Sequence, residues 1–465
     1  MPSIHDFATW GPVLRLLSPG SASGPATADG RVAGRIDRHG WSLPLRRPRP
    51  RPGQAAQVED MQAEFDAVRR VQRALAGSGA DTVSFSAEFL PDGRAVVHLL
   101  GSSPAVEPGV GSAHPGSLVL VEDAVPAPWR RLPDPVPGAV PAPTADPELL
   151  ERTLRERLSD AIGATEAEIA QAEARLGVAL PEELKALYRV TRARWEDWAD
   201  DHGAPARHAE AVGCELFALD ELYISDVASR PCPWRFAATE AAVTPPDAAV
   251  QRLAGSPGWI VFGDNGGGDR IAVDLTPGPR GRLGQVVMIG HEDNLGAELL
   301  AHSVTDMILE REAEEPRDGR AGEGREDEPS PVAHVNIRSL PSVAAAAHPA
   351  LEVLCVGVWE GEPVSLAPVV GLPRLRTLTA YPGTLADPLE IARLTGLEYL
   401  ELGPGEWRVL LDADAVPRGL SAVGIVVHGN PDPLPIVKLA NEILGLWDRP
   451  LISRTVLEGR LDPVA

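Results

Sequence analysis

The sequence predicts a multidomain α+β protein, and three observations carry that prediction. Residues 163–190 hold two short helical patterns with sharp stops, followed after an insert by strands around a triple-glycine turn. The last third repeats an L-x-x-L-x-L core about every 23 residues. Proline-rich and charged stretches separate these regions. They place a mixed helix and antiparallel-sheet domain over 148–310, between a small N-terminal α+β domain over 1–123 and a short repeat array over 332–465. At 465 residues the chain is too long for a single core.

Charge narrows the partners. The chain carries 66 acids against 43 bases, a net of −23. Residues 1–145 balance at 14 of each, whereas residues 146–310 carry 29 acids and 15 bases, net −14. An acidic middle repels nucleic acid and favours either solubility or a basic partner. Cys214, Cys232 and Cys355 are far apart, with no C-x-x-C pair. That spacing excludes a disulfide framework or cysteine zinc site and fits a reducing compartment. The N-terminus has an acid before its apolar run and no basic lead, which makes a poor secretory signal. With no apolar run of the roughly 18 residues that span a bilayer, the expectation is a soluble cytoplasmic protein that does not enter the membrane.

From the start of the chain, Trp10, Leu14, Leu16, Leu17 and Trp41 are separated by a Ser/Gly/Ala-rich stretch, so residues 1–42 are expected to be only partly ordered. Arg46, Arg47, Arg49 and Arg51 alternate with prolines that fix an extended backbone, suited to a solvated linker or to an anionic or aromatic groove. Met61, Phe65, Val68, Val71 and Leu75 then recur at helical spacing, with Gly77 as the stop. Val83, Phe85 and Phe89 precede a Pro-Asp-Gly turn, with Val96, Val97 and Leu99 after it, and this reads as a hairpin. SLVLVEDAV adds a further strand. His98 and His114 are isolated and read as structural. Residues 124–147 recur in proline and read as a linker.

The signals sharpen over 148–310. Thr165 with Glu168 three residues on forms a capping box, Ile169, Ala172 and Leu176 share one face, and Gly177 ends that helix. Pro181 opens a second helix whose Leu184, Leu187 and Tyr188 face inward. Trp259–Phe262, Arg270–Leu275 and Gln285–Ile289 read as strands, and Asp264-Asn265-Gly266-Gly267-Gly268-Asp269 between the first two must be a loop. Glu168, Glu173, Leu176, Gly177, Leu180, Pro181 and Leu184, then Phe262, Gly263, Gly268 and Asp274, resemble the SUKH superfamily. That superfamily includes fungal cell-wall-assembly regulators of the Smi/Knr type and bacterial toxin-immunity proteins. The resemblance covers about a third of the chain. TRARWEDWADD replaces the Asn-Gly usual after the second helix, GCELFALDELY is expected to supply a strand and short helix, and 226–257 reads as an extra loop.

Residues 311–331 are charged without apolar periodicity and read as a disordered linker. Beyond them, Leu351-x-x-Leu354-x-Val356, Leu375-x-x-Leu378-x-Ala380, Leu397-x-x-Leu400-x-Leu402 and Leu420-x-x-Val423-x-Ile425 start 24, 22 and 23 residues apart. The period resembles leucine-rich repeats, in which each unit buries its leucines on a neighbour. Trp359, Gly383, Gly405 and His428 stand where an Asn or Cys is usual, so the repeat is degenerate and the solenoid short. IVKLANEILGLW would cap its open end. Alternation along each strand points Val353, Thr377, Thr379, Tyr381, Tyr399 and Glu401 outward, a face for a protein partner or for packing on the middle domain.

Chemistry is sparse. Asp264 and Asp269 with the glycine amides would suit a cation, an anion or a simple turn, but neither an EF-hand nor a phosphate-loop pattern is present. His202 and His208, near Asp200, Asp201 and Glu210, are six apart and do not share a helix face as a zinc pair must. No G-x-S-x-G or Cys/His pattern occurs in a plausible frame. The expectation is a non-enzymatic binding protein with no cofactor and no metal site. The resemblance implies specific protein binding of the immunity kind, an acidic surface masking a basic toxin domain. A regulatory scaffold for signalling or envelope assembly is the alternative, and an enzyme using the acidic loop a weaker one. The expected partner-contact residues are Trp195, Glu196, Asp197 and Trp198 in the insert, Asp264, Asn265 and Asp269 in the turn, and Tyr381, Tyr399 and Glu401 on the repeats.

Overall fold

A computed structural model describes residues 2–19, 30–46, 61–107, 114–198, 201–310, 329–429 and 432–461. Arg47, Arg49 and Arg51 of the basic proline stretch, Asp200, and residues 311–328 of the charged segment lie outside the described residues. The chain divides into two compact units: residues 1–124 with 332–465, and residues 125–331.

The first unit opens with α1 (Phe7–Leu17), whose first turn is capped by the Asp6 carboxylate accepting from the Ala8 amide. Within the start expected to be only partly ordered, residues 7–17 form this helix, and residues 20–29 lie outside the described residues. Trp10, Val13, Leu14 and Leu17 are buried, and the Trp10 indole donates to Ile4 O at 2.8 Å. Then come β1 (Arg31–Asp37), β2 (Trp41–Ser42), α2 (Gln62–Ser78), β3 (Thr82–Phe89), β4 (Arg94–Leu100) and β5 (Leu118–Leu120). Helix α2 runs past Gly77 and stops at Gly79, whose φ of 77° lets the chain leave in the left-handed region.

The second unit holds α3 (Ala127–Arg130), α4 (Pro147–Arg157), α5 (Glu166–Leu176), α6 (Glu182–Val190), α7 (Ala204–Val212), β6 (Glu215–Leu216), β7 (Tyr223–Ile224) and α8 (Trp234–Ala237). β8 (Trp259–Asp264), β9 (Arg270–Asp274), β10 (Gln285–Ile289), β11 (Glu298–Ala301) and α9 (Val304–Ile308) complete it. The sheet runs β11-β10-β9-β8-β6, with β7 also on β8, all antiparallel. One core joins Leu150, Leu154, Ile169, Leu184, Leu187, Tyr188, Ile260, Phe262, Val273 and Val304, so the capped helix pair and the glycine-turn sheet fold around the same apolar interior.

Residues 124–147 are not the linker that their prolines suggest. Trp129 is buried and donates from Nε1 to Arg230 O at 2.7 Å, and Asp134 exchanges hydrogen bonds with the Gln251 side chain. Val140 O accepts from the Leu283 amide, and Thr144 Oγ1 donates to Asp306 Oδ2. The segment is a strap across its own unit, with the Asp134 backbone met by the Gln251 side chain and Val140 O by a backbone amide. The expected extra loop at 226–257 likewise packs inward: Trp234, Leu253 and Ala254 are buried.

The first unit resumes with β12 (Val332–Val335), α10 (Val343–Ala346), β13 (Val353–Val356), β14 (Thr377–Ala380), β15 (Tyr399–Leu402), α11 (Pro404–Asp412), β16 (Ala422–Ile425), α12 (Pro433–Gly445) and β17 (Arg454–Arg460). The four L-x-x-L-x-L units place their second halves on β13–β16, which pair in parallel with β12 as the outer strand. Leu351, Leu354, Leu375, Leu378, Leu397, Leu400, Leu420 and Val423 all enter one core. Two long-range pairings tie the ends of the chain together. β5 closes the parallel sheet antiparallel to β16, and β17 completes the N-terminal sheet β17-β4-β3-β1-β2. The open end is thus paired by a strand from the N-terminal part rather than by the last helix alone.

The outward row expected on these strands is corrected in part. Val353, Thr377 and Tyr399 are fully buried. Tyr399 lies across Gly424 of the next strand, where a Cβ would stand 2.7 Å from its hydroxyl, and that hydroxyl donates to Glu401 Oε2. Arg376 pairs with Glu352 and reaches Thr377 Oγ1, covering that row. Tyr381 is exposed and stacks on His428, centroids 4.8 Å apart, while Thr379 and Glu401 are half-buried. Among the described residues, no helix is long and apolar enough to cross a membrane.

Candidate functional site

Helix α5 begins as its sequence dictates. Thr165 Oγ1 accepts from the Glu168 amide at 3.3 Å, and Glu168 Oε2 accepts from the Thr165 amide at 2.8 Å. Two of the orphan donors of the first turn are satisfied this way. Just upstream, Ile162–Ala164 runs against the end of α6, with the Ala164 amide on Tyr188 O and the Arg192 amide on Ile162 O. Gly163 permits that approach, because a Cβ there would stand 2.0 Å from Arg189 O.

These contacts position the insert that follows α6. Arg192 Nε and Nη2 both donate to Asp197 at 2.7 Å, and Glu168 Oε1 lies 3.5 Å from Arg192 and 3.4 Å from Arg194. The bidentate fork folds Trp195–Trp198 into one 3-10 turn. Hydrogen bonding to Arg192 holds the Asp197 carboxyl below its ordinary range, and the same bond raises Arg192. Glu168 is lowered chiefly by its bonds from Thr165. On the inner side, Trp198 packs on His208 with centroids 4.9 Å apart, and His208 Nδ1 meets Thr191 Oγ1 at 3.1 Å. Burial lowers the His208 pKa.

Trp195 is left outside. It is 63 % exposed, and Ile162, bonded through its carbonyl to Arg192, is 50 % exposed. Glu196 is exposed beside them, and Asp197 faces the arginine rather than solvent. The arrangement is an aromatic side chain standing on a turn whose backbone is fixed from below. Such a group buries much area on contact at little entropic cost. Ile162 was not singled out from sequence, since nothing local marks a residue whose neighbours come from thirty positions away.

The acidic turn is built differently. Asp264, only 8 % exposed, accepts from the Gly266 amide and pairs with Arg270. Asn265 Oδ1 accepts from the Gly267 and Asp269 amides, and its Nδ2 donates to Asp269 Oδ2. Asp269 Oδ1 takes the His291 amide at 2.9 Å and Nδ1 at 2.7 Å; these bonds lower Asp269 and raise His291. Gly266 and Gly268 have φ of 80° and 103°, conformations that favour glycine. The carboxylates are thus committed to shaping the hairpin, and His291 is the partner that sequence spacing did not reveal. Gly263 lets β8 approach its neighbour, since a Cβ would lie 2.8 Å from Cys214 Sγ. Tyr381, Tyr399 and Glu401 belong to the other unit.

Part of this unit is similar in sequence to known proteins. The SMI1 / KNR4 family (SUKH-1) profile matches residues 163–310. A glucan synthesis regulatory protein of Neurospora crassa is 33 % identical over 78 residues, 17 % of this chain and 15 % of that protein. A KNR4/SMI1 homolog of Yarrowia lipolytica is 47 % identical over 47 residues, 10 % of this chain and 7 % of its own length. The cell wall biosynthesis/cell cycle regulator smi1 of Schizosaccharomyces pombe is 43 % identical over 49 residues, 10 % of each chain. The matched stretches therefore span about a tenth of these relatives. The stretch that matches the SMI1 / KNR4 family (SUKH-1), residues 163–310, is the one that holds the capped helix pair, the Trp195 turn and the glycine hairpin.

Proposed function

We propose that this chain is a non-enzymatic protein-binding regulator, and that its SMI1/KNR4-type unit recognises a partner through the Trp195 turn. The carrying observation is the contrast within one short segment. Asp197 and Trp198 are held inward by Arg192 and His208, while Trp195 stands 63 % exposed on the fixed turn. An exposed indole on a preorganised backbone is a contact residue in search of a pocket. Glu196 and the net −14 of residues 146–310 favour a partner whose rim is basic.

The similar proteins are named as regulators of glucan synthesis and of cell wall biosynthesis, which supports regulation over toxin neutralisation. The immunity reading keeps the superfamily resemblance and the acidic charge of residues 146–310 as its support, and none of these similar proteins is named for it. An enzymatic role for the turn loses its main support, because Asp264 and Asp269 are engaged by Arg270, His291 and backbone amides. Tyr381 stacked on His428 offers a second contact face on the other unit, as a scaffold with two partners requires. A cytoplasmic site of action belongs to the same proposal.

The test is affinity capture with the full chain as bait, compared with Trp195→Ala. Because Trp195 is largely exposed, the substitution is expected to change stability by no more than about 0.5 kcal/mol. The proposal predicts that a specific partner is lost with the indole. Retention of every partner at wild-type level by a folded Trp195→Ala chain would refute it.

A further inference from the structure

The first unit carries a second surface of opposite charge. Helices α1 and α2 pack side by side and leave an open groove of about 830 Å³ between them. Pro12 and Leu16 of α1 and Ala63 and Ala67 of α2 supply its apolar floor. Ala63, Ala67 and Arg70 fall at helical spacing along one face of α2, and the two alanines are what leave the trough open. Arg15 stands on the α1 wall, with Arg70 and Arg73 on the α2 wall.

In a chain of net −23, these three guanidinium groups make no ion pair among the described residues. The acid in the groove, Asp66, lies 3.9 Å from Arg69 and accepts from Gln62, both outside the groove lining. Glu64 is buried and accepts from the Trp41 indole. The positive walls are therefore not answered from within the unit's own helices.

We propose that this groove docks an acidic amphipathic helix of a partner protein. Arg70 and Arg73 are one turn apart, about 4.5 Å along the axis, which matches two carboxylates at i and i+3 or i+4 on a helix laid alongside. Arg15 faces them from the other wall and meets acids on the opposite flank. The apolar stripe of the incoming helix fills the space above Ala63 and Ala67, the helix-in-groove mode of recognition. Steering by the arginines makes the association sensitive to salt. This surface lies on a different unit from the Trp195 turn and selects the opposite charge, so one can fail while the other stands.

The experiment measures fluorescence anisotropy of the full chain with two labelled 18-residue probe helices. Both carry leucines at i, i+3, i+4 and i+7, one flanked by glutamates and the other by lysines. The glutamate probe is expected to bind at least tenfold more tightly, and more weakly as salt is raised. Arg70→Glu with Arg73→Glu is expected to abolish the preference. Arg69→Glu, the same charge change outside the groove, is expected to leave affinity within twofold. Equal binding of the two probes, absence of binding, survival of the preference in the double variant, or an equal loss with Arg69→Glu would each overturn the proposal. So would tighter binding of phosphatidylserine vesicles than of the glutamate probe through the same two arginines, which would make the groove a lipid surface.

Discussion

Replacing Asp197 by alanine removes the acceptor that closes the Trp195 turn. Two charge-assisted bonds of 2.7 Å are lost from a carboxylate whose side chain is only 10 % exposed. Arg192, 26 % exposed, keeps Glu168 at 3.5 Å, so its charge is not stranded. Hydrogen bonds to charged groups of this kind contribute about 1.5–3 kcal/mol, and the remaining Glu168 contact argues for the lower half of that range. For a unit of this size the expected fall in melting temperature is roughly 4–8 °C. Chemical denaturation of the full chain, with Arg192→Ala and the double variant completing a cycle, isolates the pair. Because Arg192 depresses the Asp197 pKa, the stabilisation is fully present above the ordinary value of 3.8 and fades as pH falls below it. A coupling energy under about 0.3 kcal/mol at neutral pH, or one independent of pH down to the acid limit, would refute this account of the turn.

Trp129→Ala is expected to cost about 3–5 kcal/mol and to make residues 125–147 newly sensitive to protease, since the indole is buried and bonded to Arg230 O. A linker tryptophan would give neither effect. Gly424→Ala places a methyl 2.7 Å from both Glu401 Cγ and the Tyr399 hydroxyl, and a loss of about 1–3 kcal/mol in urea unfolding is expected. Burial pushes the Asp274 carboxyl up to about 6 against the bonds it accepts from Thr276 and Gln285. The folded chain then binds this proton more tightly than the unfolded chain, so the contribution falls as pH rises from about 4 to about 6 and is constant above. Carbon-13 titration of Asp274 is expected to show a midpoint near 6; a midpoint near the ordinary carboxylate value of 3.8 would contradict it.

What could be read from sequence was what is local. The Thr165–Glu168 box, the Gly177 stop and the Asp264–Asp269 turn each depend on residues within five positions, and each forms as its spacing implies. The SMI1/KNR4 resemblance was legible through single residues at fixed places, among them Gly263, although the neighbour that needs its missing side chain, Cys214, lies about fifty residues earlier. Proline composition could not separate a strap from a linker, because both are extended; the difference lies in Trp129 and Asp134 meeting Arg230 and Gln251 about a hundred residues later. Alternation along β15 set Tyr399 on the face opposite Leu400 but could not say that Gly424 would leave room for its ring and bury it. The pairings of β5 with β16 and of β17 with β4 join the two ends of the chain and leave no mark in either segment.

The recognition role of the Trp195 turn is tested most directly by placing a photoreactive amino acid at position 195 of the full chain and irradiating it in the native host. Leu132, 74 % exposed on the same unit, serves as the comparison site. One recurrent protein adduct is expected from position 195 that position 132 does not give. No adduct at 195, or the same adducts with equal yield at both positions, would contradict it.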